Sequence, residues 1–107
     1  MEKYVIYNKL IRDKIPEYIA ERGGTSKTHI ADGIEYWDKL KEKLVEEAEG
    51  FARDETTSEL ADLQEVIAAI VAFKQFDAKE IEQIRVDKNA KRGAFAKRII
   101  LEESASK

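Results

Sequence analysis

Leu44 to Glu65 reads LVEEAEGFARDETTSELADLQE, and the fold turns on this stretch. Two segments with carboxylates at helical spacing flank a short polar turn, so their acids can face one another across a helix hairpin. The first carries Glu46, Glu47 and Glu49, with Gly50 where a further acid would be expected; the second carries Glu59, Asp62 and Glu65. These acids form either a metal site or a solvated surface.

A wheel at about 100° per residue separates them. On the segment from about Ile34 to Arg53, it gathers Ile34, Trp37, Leu40, Leu44, Val45, Ala48 and Phe51 on one side, a stripe that must be buried. Glu47 falls at the border of that stripe, beside Lys43 and Gly50, and is the acid most drawn toward the interior. Glu46 points nearly away from the stripe and Glu49 flanks its other edge. The next helix runs from about Ser58 to Phe76, with a buried arc of Leu60, Leu63, Val66, Ile67, Ile70 and Val71. Glu59 projects into that arc and Asp62 lies on its edge. A carboxylate aimed at an apolar stripe needs a partner, because an unpaired buried charge is costly.

Capping chemistry sets the ends. Asp32 with Glu35, Thr56 with Glu59 and Asp77 with Glu80 each have the spacing of a capping box. Pro16 suits the first turn of a helix from about Ile15 to Arg22, and Gly23-Gly24 suits its end. A fourth helix spans about Ala78 to Arg92 and stops at Gly93. Its face begins with Ile81 and Ile84 and continues with Arg85, Lys88 and Arg92, with Asn89 at its margin. Tyr4 to Tyr7 and Phe95 to Leu101 are β-prone and are expected to form a short terminal pairing. The architecture expected is an all-α four-helix bundle in which the outer helices pack on a central antiparallel hairpin.

Composition narrows the chemistry. The chain has 107 residues, 19 basic against 22 acidic, for a formal net charge of −3. That length fits one domain, and that balance provides no global cationic field for a nucleic-acid polymer. Without cysteine, and with His29 as the single histidine, thiolate zinc and histidine-rich sites are excluded. A metal here is a hard cation held by oxygen. No segment has the apolar length of a membrane span and MEKYVIYNKL lacks the form of a cleaved signal, so the expectation is a soluble cytoplasmic protein without a membrane partner.

Carboxylates from two adjacent helices can grip one or two divalent cations, and a di- or triphosphate completes the coordination. Metal so held polarises phosphoryl oxygens and activates a water for in-line attack, while lysine and arginine neutralise the leaving pyrophosphate. The hairpin acids and the cations of the fourth helix are the parts such a reaction needs.

The pair Glu46-Glu47 in a KLxEE context, followed by Glu59-Leu60-Ala61-Asp62, resembles the EExxE…ExxD signature of the all-α nucleoside triphosphate pyrophosphohydrolases, the MazG-like superfamily. That superfamily includes dimeric dUTPases, dCTP pyrophosphatases and phosphoribosyl-ATP pyrophosphohydrolases. Asn8 to Pro16, NKLIRDKIP, is similar to the NKLVRDKIP opening of a MazG-like subgroup. Asp87-Lys88-Asn89 through Lys91-Arg92-Gly93-Ala94-Phe95 is similar to the closing nucleotide-contact segment. The resemblance runs over nearly the whole chain in the right order and implies a single MazG-like domain.

It also implies roles. Magnesium, with manganese as a substitute, would be held by Glu47, Glu59 and Asp62, with Glu46 binding metal or orienting water. Lys88 and Arg92 would meet phosphates, with Asp87 and Asn89 near the nucleotide. Lys9, Arg12 and Lys14 are candidates for phosphate or subunit contacts. The activity implied is cleavage of a nucleoside triphosphate to monophosphate and pyrophosphate by a homodimer or tetramer. One position departs from the signature: its third acid falls at Gly50, which offers no ligand and weakens a helix by roughly 1 kcal/mol relative to alanine. The alternative is a non-catalytic nucleotide-binding or interaction module that has lost a metal ligand.

Plainer readings stand beside these. Glu46 can be surface charge and Glu59 the capping partner of Thr56. Lys88, Lys91 and Arg92 occupy a last helical turn, where the dipole favours cations whatever the function. Trp37, Phe51, Phe73 and Phe76 read as core or subunit interface before base-stacking platform, and His29 as a loop residue.

Overall fold

A computed structural model describes residues 3–106. Among the described residues four helices follow one another: α1 (Ile15–Glu21), α2 (Gly33–Asp54), α3 (Thr57–Lys74) and α4 (Ala78–Arg92). The protein is all-α, and none of these helices is long and apolar enough to cross a membrane. The residues gather into two compact units, 1–74 and 75–107. The first contains α1 to α3, the second α4 and the tail.

Local chemistry explains the ends. Asp32 accepts a hydrogen bond from the Glu35 N–H at 2.9 Å and caps α2. Glu55 then turns left-handed (φ 53°) and its N–H returns to the Phe51 carbonyl, which ends α2 and reverses the chain within two residues. Thr56 Oγ1 accepts from the Glu59 N–H at 3.2 Å to open α3. At α4 the cap is one residue tighter than a capping box: Asp77 accepts from the Lys79 N–H at 2.9 Å. Gln75, at φ 57°, stops α3 at Lys74, two residues short of Phe76.

α2 and α3 are the extensively packed pair of the first unit. Trp37 stacks on Phe73 with ring centroids 5.8 Å apart, and Tyr36 meets the same ring edge-on at 5.2 Å. Aromatic contact therefore fixes the register at the open end of the hairpin, while the two-residue turn fixes it at the other. Between them Leu40, 1% exposed, and Val66, 8% exposed, form the buried apolar centre.

Three expectations are corrected. Among the described residues there is no strand; Tyr4 to Tyr7 and Ile99 to Leu101 are irregular, with side chains 67–81% exposed. A β-prone run becomes a strand only where a partner supplies ladder hydrogen bonds. The stripe of α2 is only half covered, with Ile34 78% and Val45 57% exposed, because a hairpin partner shields one line of side chains and not a broad arc. The same holds on α3, where Leu60 and Ile67 remain exposed. Finally, α1 has seven residues and buries none, too short to present a stripe to the hairpin as expected.

Candidate metal centre

The seam that buries Leu40 and Val66 continues toward the turn and there changes from apolar to acidic. Glu47 lies on α2 seven residues, two turns, beyond Leu40. Glu59 and Asp62 lie on the first turns of α3. Each of the three offers a carboxylate oxygen, and these oxygens all lie within 4.8 Å of one another. The acids expected to bind metal are thus brought together, and Glu47 is drawn inward as the wheel indicates: its side chain is 15% exposed, against 42% for Glu46.

Glu59 has two claims on it, and the structure resolves them by atom. Its backbone N–H serves the cap, donating to Thr56, whereas its carboxylate stands with Glu47 and Asp62. The cap therefore anchors the backbone of Glu59 without consuming its side chain.

Three like charges this close repel. At 4.8 Å a pair interacts with about 1 kcal/mol in bulk water and about 3.5 kcal/mol at an effective dielectric near 20. Relief comes from cations at the rim. Lys43 reaches Glu47 at 3.5 Å and Glu46 at 3.4 Å; Arg12 Nη2 donates to Asp62 Oδ1 at 2.8 Å; Lys9 donates to Glu46 at 3.0 Å. The opening segment is held across these acids by a further bond, from Lys39 Nζ to the Asn8 carbonyl at 2.8 Å, with Asn8 itself at φ 47°. Burial raises the Glu46 carboxyl, but the Lys9 hydrogen bond and the Lys43 and Lys9 charges outweigh it and hold the group below its ordinary range.

The donor set fits a hard divalent cation. Oxygens around magnesium lie at about 2.0–2.1 Å from the ion, hence roughly 3 Å apart when adjacent and 4.2 Å when opposite. Oxygens already within 4.8 Å reach those separations by small side-chain rotations. Three protein donors leave about three octahedral positions for water or phosphate.

Position 50 lies against one of these acids. Gly50 is buried on α2, and a Cβ placed there would come within 2.8 Å of Glu59 Oε2. The Glu59 carboxylate thus fills the space that a side chain at 50 would take.

The remaining candidates are distributed differently. Lys9 and Arg12 meet carboxylates, and Lys14 is exposed at the start of α1. Asp87, Lys88, Asn89 and Arg92 sit on α4 in the second unit, all exposed, with Asp87 accepting from Gln83 at 2.9 Å. Pairing between the opening segment and the hairpin escapes sequence reading, because residues 50 positions apart leave no periodic signal; the excess of lysine and arginine in KLIRDK beside an acidic hairpin was the one available clue. His29 also has an unexpected partner, Glu35, at 2.8 Å.

No family model, curated protein or solved structure matches this chain.

Proposed function

We propose that this protein is a magnesium-dependent nucleotide pyrophosphohydrolase of the MazG-like kind, cleaving a nucleoside triphosphate or related nucleotide to monophosphate and pyrophosphate. The observation that carries the reading is the convergence of Glu47, Glu59 and Asp62 from two helices onto one cation-sized space. Oxygen donors alone select a hard ion, magnesium first and manganese as its substitute. When bound, that ion supplies charge neutralisation at the phosphates and lowers the cost of generating hydroxide from water.

The chain's own groups take the remaining parts. Glu46, kept ionised by Lys9 and Lys43, is an acceptor able to orient a water beside the triad. Water attacks phosphorus, the P–O bond to the leaving pyrophosphate breaks, and the water proton passes to a carboxylate. The resemblance of the closing segment is what gives Lys88 and Arg92, with Asp87 and Asn89, to the phosphates and nucleotide. Apolar side chains left exposed on the hairpin, Val45, Leu60 and Ile67, support a homodimer or tetramer. The setting proposed is the cytoplasm, where nucleotides are the substrate pool.

Purified protein incubated with a nucleotide panel and magnesium should release pyrophosphate, and an Asp62→Ala chain should not. Release by the unaltered chain no greater than by Asp62→Ala would leave a binding module in place of an enzyme.

A further inference from the structure

Glycine inside a helix needs a reason. It weakens the helix relative to alanine, and Gly50 is not in the left-handed region that favours glycine. Its surroundings provide the reason. A Cβ at position 50 would lie 2.8 Å from Glu59 Oε2 and 3.7 Å from Glu59 Cδ, the first closer than a methyl group and a carboxylate oxygen can approach. Glu47 stands one turn earlier on the same helix face, so a carboxylate from α3 that reaches toward Glu47 passes over residue 50.

We infer that Gly50 is a positioning residue: its missing side chain is the clearance through which Glu59 reaches the cation position shared with Glu47 and Asp62. The inference rests on the metal site of the proposed function. In this chain a side chain at 50 meets the Glu59 carboxylate first, so Glu59 must move to admit it. The obstructing atoms belong to the far end of a flexible side chain, so a substitution is absorbed by moving Glu59 and leaves the helix backbone in place.

Two readouts of opposite sign test this. Gly50→Ala should bind Mn²⁺ on the order of ten-fold more weakly by calorimetric titration, the scale seen when the orientation of a metal ligand is disturbed. In chelator, the same variant should unfold at an equal or higher temperature, since alanine favours the helix. In a Glu59→Ala background, Gly50→Ala should change Mn²⁺ affinity no further, because there is no carboxylate left to displace.

Unchanged Mn²⁺ affinity in Gly50→Ala overturns the inference, as does a loss that persists in the Glu59→Ala background. A Gly50→Ala chain that fails to fold overturns it too, since backbone packing would then have demanded the glycine. Failure of the underlying reading looks different: an unaltered chain that binds no Mn²⁺ removes both, while one that binds Mn²⁺ yet releases no pyrophosphate removes hydrolysis and leaves the role of Gly50 standing.

Discussion

Arg12 Nη2 donates to Asp62 Oδ1 at 2.8 Å, tying the opening segment of the chain to the second helix of the hairpin. The pair is open to solvent, with Arg12 59% and Asp62 36% exposed, so the bond contributes little to stability. Its effect on a cation is larger in kind, because a guanidinium at this carboxylate repels a divalent ion and occupies one of its oxygens. Arg12→Gln should therefore tighten Mn²⁺ binding, by about two- to five-fold if the exposed pair is worth up to about 1 kcal/mol. Calorimetric titration of both chains at one ionic strength measures it. Weaker binding in Arg12→Gln would show that the arginine orients Asp62 instead of competing for it.

Acid should undo the contact between Glu46 and Lys9. The folded Glu46 carboxyl lies below its ordinary value of 4.5 because Lys9 and Lys43 outweigh the effect of burial. A depressed carboxyl contributes stability that is present above its unfolded pKa and is lost as pH falls through the folded one. Urea unfolding between pH 7 and pH 3 should accordingly show a smaller loss of stability in Glu46→Gln than in the unaltered chain. Parallel curves for the two would mean that the lysines do not hold this acid.

Burial predicts where truncation hurts. Leu40 is 1% exposed, and removing its side chain to alanine should cost about 2–5 kcal/mol. Ile34 is on the same predicted stripe and is 78% exposed, so Ile34→Ala should stay within about 0.5 kcal/mol. Chemical denaturation of the two variants distinguishes a seam one side chain wide from the broad arc that periodicity alone suggests.

That contrast shows how much of the protein was legible beforehand. Periodicity and caps placed the four helices to within two residues at the ends, because Asp32 and Thr56 accept from the N–H three residues on, as their spacing announces, and Asp77 caps α4 from Lys79, one residue nearer than its spacing to Glu80 suggests. The acids of the hairpin could be sorted for the same reason: a wheel puts Glu47 at the seam and Glu46 outside it, and their exposures agree. What a wheel lacks is the partner. It cannot say that α3 covers Leu40 and leaves Val45 open, nor that Glu59 leans over residue 50. The β-prone ends were misread because Val, Ile and Tyr state a preference for strands, whereas a strand also needs a neighbour.

The open apolar side chains make the last prediction. Leu60 and Ile67 are 41% and 46% exposed, seven residues apart on α3, with Val45 57% exposed on α2. α3 is apolar on more than one face, the pattern of a helix covered on more than one side. If a second copy provides the cover, sedimentation should give a mass that is a multiple of 12.3 kDa. Ile67→Lys should shift it toward the single-chain value, since a lysine buried at an interface must be desolvated without a partner. On a free surface the same change should leave the mass at 12.3 kDa in both chains and alter stability by no more than about 0.5 kcal/mol. Pyrophosphate release by the two chains then distinguishes a site completed by the second copy, in which Ile67→Lys loses activity along with the assembly, from one built within a single hairpin.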